Sequence, residues 1–238
     1  VKKRAEEDNV DLFVFVNYSS GSVNDPENVG EGMIFTLPDI ADFDGVLLMG
    51  NTINMPYERE QLCEKILKYK IPAISLEYEM DGIPYIGTDT YQGIYKLMLH
   101  VLETHHAHEF VFLSGPKNNQ ESENRKKAVE DALETAGLVL REDWSYFVAY
   151  DKTIQYVNTH DKLPDAIICA NDEMAIAVCT ALDYLGVRVP DDVIVTGCDY
   201  LRRGQDFFPI LSTVGREWDK LGYQGMDMLI QQMNGAEI

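Results

Sequence analysis

Asn171 and Asp172 in Leu163–Ala181 (LPDAIICANDEMAIAVCTA), Asp199 in Asp191–Tyr200 (DDVIVTGCDY), Ser114–Gly115 and Asp89 share one setting. Each stands where a short apolar run gives way to polar residues. A carboxylate accepts hydrogen bonds from two adjacent hydroxyls, and a carboxamide offers one donor face and one acceptor face. Groups of this kind suit a polyhydroxylated small molecule. In an open parallel sheet, ligands collect where strands finish and helices begin. The pattern therefore predicts a small-molecule binder whose cleft is built from strand ends. Asp and Asn are also favoured helix N-caps, so capping is the competing role for each. Asp89, Asn171 and Asp199 together at strand ends favour binding, and one side chain can do both.

Other reactive residue types form weaker patterns. Tyr150 or Phe147 is placed to stack on a sugar face, although an aromatic residue in a strand usually packs in the core. His105, His106 and His108 fall in one loop without a second ligand group, so no metal site is expected. Glu77, Glu79 and Asp81 cluster in YEMDG with no activated nucleophile or water beside them. Neither a GxGxxG or P-loop phosphate cradle nor a GxSxG elbow occurs. No cofactor is expected, and an enzyme is the least supported class.

These residues need a scaffold, and 238 residues are enough for one large α/β unit or two modest ones. A hydrophobic content of 45% with 10% aromatic residues argues against disorder. The chain carries 20 Lys+Arg against 40 Asp+Glu, a formal net charge of -20. Such a surface repels phosphate backbones and anionic lipid, so any DNA contact is expected only through a domain outside this chain, and no membrane partner is expected. The four cysteines show no CxxC pair, and three fall at core-like positions. Reduced thiols and a cytoplasmic setting are expected. No apolar stretch reaches membrane-spanning length, and no signal peptide opens the chain.

The periodicity predicts strands at Asp11–Val16, Asp44–Met49, Ile71–Leu76, Pro84–Gly87, Glu109–Ser114 and Ser145–Ala149, besides the two that end at Asn171 and Asp199. Asn17–Gly32 reads as a loop. Helices are predicted after Met49, with Leu62, Cys63, Ile66 and Leu67 on one face, and after Gly87, with Ile94, Leu97, Met98, Val101 and Leu102 in a stripe. Further helices span Ser122–Ala136, capped by Gly137, and Asp172 to Gly186, with a last one over Trp218–Met233. The stretch after Asp199, with Pro209, reads as irregular. Strands separated by single helices imply right-handed βαβ crossovers and parallel sheets. Too many strands follow for one small sheet, so the expected fold is α/β with two Rossmann-like lobes. The opening residues look like the tail of a helix, with a strand expected upstream.

Three segments carry a family resemblance: LPDAIICANDEMAIA, VPDDVIVTGCDY and PILSTVGREWDKLG. They resemble the ligand-binding domain of LacI/GalR-family transcription regulators, which is itself similar to periplasmic sugar-binding proteins. The resemblance implies the type I periplasmic-binding-protein-like fold, with lobes joined by crossover strands near Gly87–Thr90 and Pro209–Val214. The lobes would comprise residues 1–88 with 214–238, and 89–213. A sugar or nucleobase-like effector would sit between lobes that close on it, in a homodimer.

The resemblance also implies site residues: Asp89 in IGTDTYQG, Arg125 in SENRKKA, Asn171, Asp199 and Arg216. Arg125 has a planar fork that can grip ring oxygens or a carboxylate. Arg216 stands where the family usually carries Gln, which can accept a hydrogen bond as Arg cannot. His106-Ala107 replaces the family's Gly-His. Asp199→Ala and Arg125→Ala are each expected to weaken binding by about 1.5–3 kcal/mol with the fold intact. The function implied is effector sensing for a LacI-type regulator. Alternatives are a LacI-like sensor of a diguanylate cyclase or histidine kinase, or a solute-binding protein.

Overall fold

Phe110, Val111, Phe112 and Leu113 are all fully buried, which requires a strand covered on both faces. They belong to β4 (Phe110–Ser114), an interior strand of the larger of two parallel sheets in the computed structural model. The structure describes residues 1–17, 33–35, 37–53, 55–116, 119–145, 149–201 and 211–237. It divides into two compact units, residues 1–88 with 217–238, and residues 89–216.

The first unit contains β1 (Val46–Leu48), β2 (Ala73–Leu76) and β3 (Tyr85–Ile86), paired in parallel in the order β1-β2-β3. Side chains of a strand alternate between faces, and β2 uses this to serve two cores. Ile74 and Leu76 pack with Ala5 of α1 (Lys2–Glu7) and with Met226, Leu229 and Ile230 of the last helix, Trp218–Met233. Ala73 packs instead with Leu48, Ile83 and Ile66, the last from α2 (Pro56–Tyr69). Pro56 stands at the first helical position, where its missing N–H costs nothing.

The second unit carries a five-stranded parallel sheet in the order β5-β4-β6-β7-β8. Its strands are β4 (Phe110–Ser114), β5 (Glu142–Ser145), β6 (Ala166–Cys169), β7 (Ile194–Asp199) and β8 (Ser212–Gly215). The chain starts at β4, steps out to β5, then returns to β6 on the other side. The strand order therefore reverses between β4 and β6, and such a reversal opens a crevice at the carboxyl ends of the strands. Helices α3 (Thr90–His105) and α4 (Gln120–Thr135) pack together, as do α5 (Ala149–Thr159) and α6 (Asp172–Tyr184). With the last helix as α7, every crossover between consecutive strands of this sheet up to β7 carries a helix.

The expected α/β architecture with parallel sheets is observed, and Gly137 does follow α4 with a left-handed φ of 69°. Three local expectations need correction. Asp11–Val16 enters no ladder among the described residues and its apolar side chains are exposed, with Phe13 and Phe15 set edge-on against Phe43. An apolar run becomes a strand only by pairing, and among the described residues this one has no ladder partner. The strand expected over Ser145–Ala149 lies earlier, at Glu142–Ser145, because its ladder with β4 is set by backbone register and not by side-chain apolarity. Helix α5 replaces the rest of that expectation, and the stretch expected to be irregular yields β8, paired to β7 from Thr196↔Ser212 to Asp199↔Gly215. Most of the expected loop at Asn17–Gly32, together with Phe147 and Pro209, lies outside the described residues.

Candidate functional site

Each expected site residue falls at the carboxyl edge of the five-stranded sheet or at the start of a helix. Asp89 is the exposed N-cap of α3, and its Oδ1 accepts the Gln92 amide at 2.9 Å. Asn171 caps α6 in the same way, accepting the Met174 amide at 2.9 Å. The capping role is therefore real for both. Tyr150 lies in the first turn of α5, not in a strand, and is 39% exposed.

Arg125, Asp199 and Arg216 come together, and Glu121 joins them. Arg125 on α4 extends over the strand ends, where its Nη1 donates to the carbonyl of Ala170 just beyond β6. Its Nη2 donates to Asp199 Oδ1 at 2.9 Å and lies 3.1 Å from Glu121 Oε1. Arg216, directly after β8, donates through Nη2 to the same Glu121 oxygen, and its Nε lies 3.2 Å from Asp199 Oδ1. Thr90, the residue after Asp89, sets its Oγ1 3.3 Å from Glu121 Oε1. Two guanidiniums and two carboxylates thus interlock at the ends of β6, β7 and β8, next to the reversal in strand order. Arg125 and Arg216 are only 7% and 6% exposed. Buried charges persist only when paired in this fashion.

Asp199 ends β7 with φ at 110°, a backbone conformation that L residues rarely adopt. Its carboxylate is delivered to the arginines from that strained position. Beside it, Asp172 is almost wholly buried; its Oδ1 accepts from Thr213 Oγ1 at 2.5 Å and its Oδ2 from the Leu201 amide at 2.7 Å. Burial pushes the Asp172 carboxyl above its ordinary 3.8, against the pull of those two donors and of the nearby Arg125. Gly197 makes room for it, since a Cβ there would stand 2.2 Å from Asp172 Oδ1.

Glu121 and Asp172 escaped the sequence reading as site residues. Glu121 lies four positions before Arg125, a spacing that puts the two on one helical face, but the surrounding ESENRKK run reads as solvated. In the sequence Asp172 stands out only as the neighbour of Asn171. His105 ends α3, its ring edge-on to that of His100 at 5.2 Å, and His106 caps the helix in the left-handed region. Among the described residues no three His, Cys, Asp or Glu side chains are grouped to hold a metal ion. The cysteines are all free, and burial pushes the Cys179 and Cys198 thiols up to about 12. Among the described residues no helix is long and apolar enough to cross a membrane.

Residues 99–238 match the periplasmic binding protein-like domain. The chain belongs to that family. That match agrees with the resemblance of the three sequence segments to the ligand-binding domain of LacI/GalR-type regulators. It is 29% identical over 164 residues to the HTH-type transcriptional repressor PurR of Haemophilus influenzae, covering 65% of this chain and 48% of the relative. The PurR of Yersinia enterocolitica is 27% identical over 199 residues, 80% of this chain and 57% of that protein. The chain thus spans about half the length of the curated relatives it matches. Two solved structures share the fold at low identity. An ABC transporter periplasmic solute-binding protein from Actinobacillus succinogenes with bound D-allose superposes with a TM-score of 0.81 at 21% identity, over 100% of this chain and 85% of that one. A dimeric Lac repressor with an 11-residue C-terminal deletion gives 0.80 at 20% identity, with the same coverage.

Proposed function

We propose that this periplasmic binding protein-like domain is the effector-sensing part of a LacI-type transcriptional regulator, binding a sugar or similar small metabolite and doing no chemistry on it. The observation that carries the reading is the cluster of Arg125, Arg216, Glu121 and Asp199, buried at the carboxyl edge of a parallel sheet beside its switch point. That edge is where α/β sheets take ligands, and the cluster holds polar groups in the fixed orientation that recognition of hydroxyls requires. Asp89, Asn171 and Tyr150 are further contacts in the proposal, the first two retaining their capping bonds. Likeness to repressors named PurR supports the regulatory role.

Closure of the two units on the effector is the switching step in this reading. An effector shifts such an equilibrium only by its difference in affinity for the two states. DNA would be held by a separate domain, in a cytoplasmic homodimer. Thermal-shift screening over neutral sugars and nucleobases tests the reading. A hit confirmed by isothermal titration, with affinity lost in Asp199→Ala, is the expected result; recovery of a chemically altered ligand after incubation would reject it in favour of an enzyme.

The likeness to the allose-bound solute-binding protein favours a second reading, a solute receptor outside the cytoplasm. Light scattering separates them, since the regulator is expected as a dimer and the receptor as a monomer. The three buried free thiols weigh toward the regulator.

A further inference from the structure

We infer that Glu121 and Arg216 together set the charge of the ligand, so that the site takes a neutral polyhydroxylated molecule and turns away sugar acids and sugar phosphates. The inference rests on the proposed sensing role and narrows it to a ligand class. Two guanidiniums side by side at a sheet edge would by themselves form a strong anion site, because the arginine fork matches carboxylates and phosphates. Here each fork is already occupied. Glu121 Oε1 is ion-paired with both Arg125 and Arg216, and Asp199 Oδ1 lies 2.9 Å from Arg125 and 3.2 Å from Arg216. Two acids against two bases leave the cluster with no net formal charge.

An entering anion would compete with Glu121 and Asp199 for the same N–H groups while facing both of their charges. Asp172, buried alongside, and the chain's net charge of -20 add to that repulsion. Hydroxyl donors meet no such conflict, because a carboxylate oxygen has more than one acceptor direction and need not release its arginine. Arg216 stands where the LacI/GalR resemblance leads one to expect Gln. A buried cation there needs a counter-charge, and Glu121, four residues before Arg125 on α4, supplies it to both arginines at once.

The test uses thermal shift and isothermal titration of the 238-residue chain with three neutral probes (D-ribose, D-glucose, D-allose) and three anionic ones (D-gluconate, D-glucuronate, glucose 6-phosphate). Wild type is expected to bind at least one neutral probe and none of the anions. Glu121→Gln keeps the shape but releases Arg216 from its carboxylate, and is expected to gain affinity for an anionic probe by about tenfold or more. Glu121→Gln with Arg216→Gln is expected to lose that gain, which assigns it to the arginine. Circular dichroism checks that each variant folds, and if Glu121→Gln does not, the wild-type ranking decides alone. Wild type that prefers the sugar acids, or a folded Glu121→Gln without an anion gain, overturns the charge argument while leaving the sensing role standing. Silence across all six probes in every protein overturns this inference, while the sensing role is decided by the wider screen over sugars and nucleobases.

Discussion

Arg125 is held from three directions, by Ala170 beyond β6, by Asp199 at the end of β7 and by Glu121 on its own helix. Its burial changes what its removal should do. Arg125→Ala takes the side-chain donor from the Ala170 carbonyl and leaves Glu121 and Asp199 with Arg216 alone, and breaking a buried pair costs about 3–5 kcal/mol. Urea denaturation should therefore show a lower midpoint, in addition to the loss of ligand expected from the sequence alone. Asp199 permits a cleaner separation. Asp199→Ala removes the carboxylate and keeps a side chain at φ 110°, whereas Asp199→Gly removes the same carboxylate and relieves the backbone. Both should lose about 1.5–3 kcal/mol of ligand binding by titration calorimetry, with the glycine variant the more stable of the two. Equal stability would mean that the backbone at Asp199 is not strained. Asp89, Asn171 and Asp199 were visible in the sequence because each follows an apolar run. Glu121 was not, because a glutamate in a charged run gives no sign of which neighbour its helix turns it toward.

Elements were legible where their periodicity is internal to the segment. The stripe of Ile94, Met98 and Val101 marks α3, and Ala175, Val178, Cys179 and Leu182 mark α6. Helix α5 carries the same kind of signal in Ala149, Thr153 and Tyr156, buried at i, i+4 and i+7, but the Thr and the Tyr disguise it as polar. Strand β8 was hidden because STVG has partly exposed side chains and takes its place from backbone pairing with β7. The Asp11–Val16 run failed for the reverse reason, having β-forming residues and no ladder. The packing of β7 against α6 can be tested at Gly197, where a Cβ would meet Asp172 Oδ1 at 2.2 Å and its backbone Cα at 3.2 Å. Gly197→Ala should destabilise by about 1–3 kcal/mol and displace Asp172 from Thr213; an unchanged denaturation midpoint would reject this packing. The turn between α6 and β7 gives a pH prediction. The side chain and amide of Arg188 hold the Asp192 carboxyl down to about 2, from an ordinary 3.8. A lowered carboxyl contributes stability above its unfolded value and loses it as pH falls through the folded one. Stability should therefore drop from 3.8 toward about 2, and less steeply in Arg188→Ala. Denaturation series across that window, run on both proteins, measure the difference.

At the scale of the whole molecule the dominant quantity is the net charge of -20, with 40 acidic residues against 20 basic ones. Many of the bases already sit in exposed pairs, such as Lys2–Glu6, Lys126–Asp143 and Lys220–Glu217. Exposed pairs of this type contribute little individually, while the surplus acids repel one another throughout the surface. Salt screens both effects, with a Debye length of about 30 Å at about 0.01 M and about 3 Å at about 1 M. Because like-charge repulsion extends over many pairs and the attractive contacts are few and short, screening should remove more repulsion than attraction. The melting midpoint is therefore expected to rise from low to high sodium chloride, as followed by circular dichroism. The buried arginine–carboxylate cluster should respond less, since close pairs away from bulk solvent are screened much less. Arg125→Ala should accordingly keep the same upward salt slope from a lower starting midpoint. A falling midpoint in wild type would show instead that the exposed pairs outweigh the surplus charge.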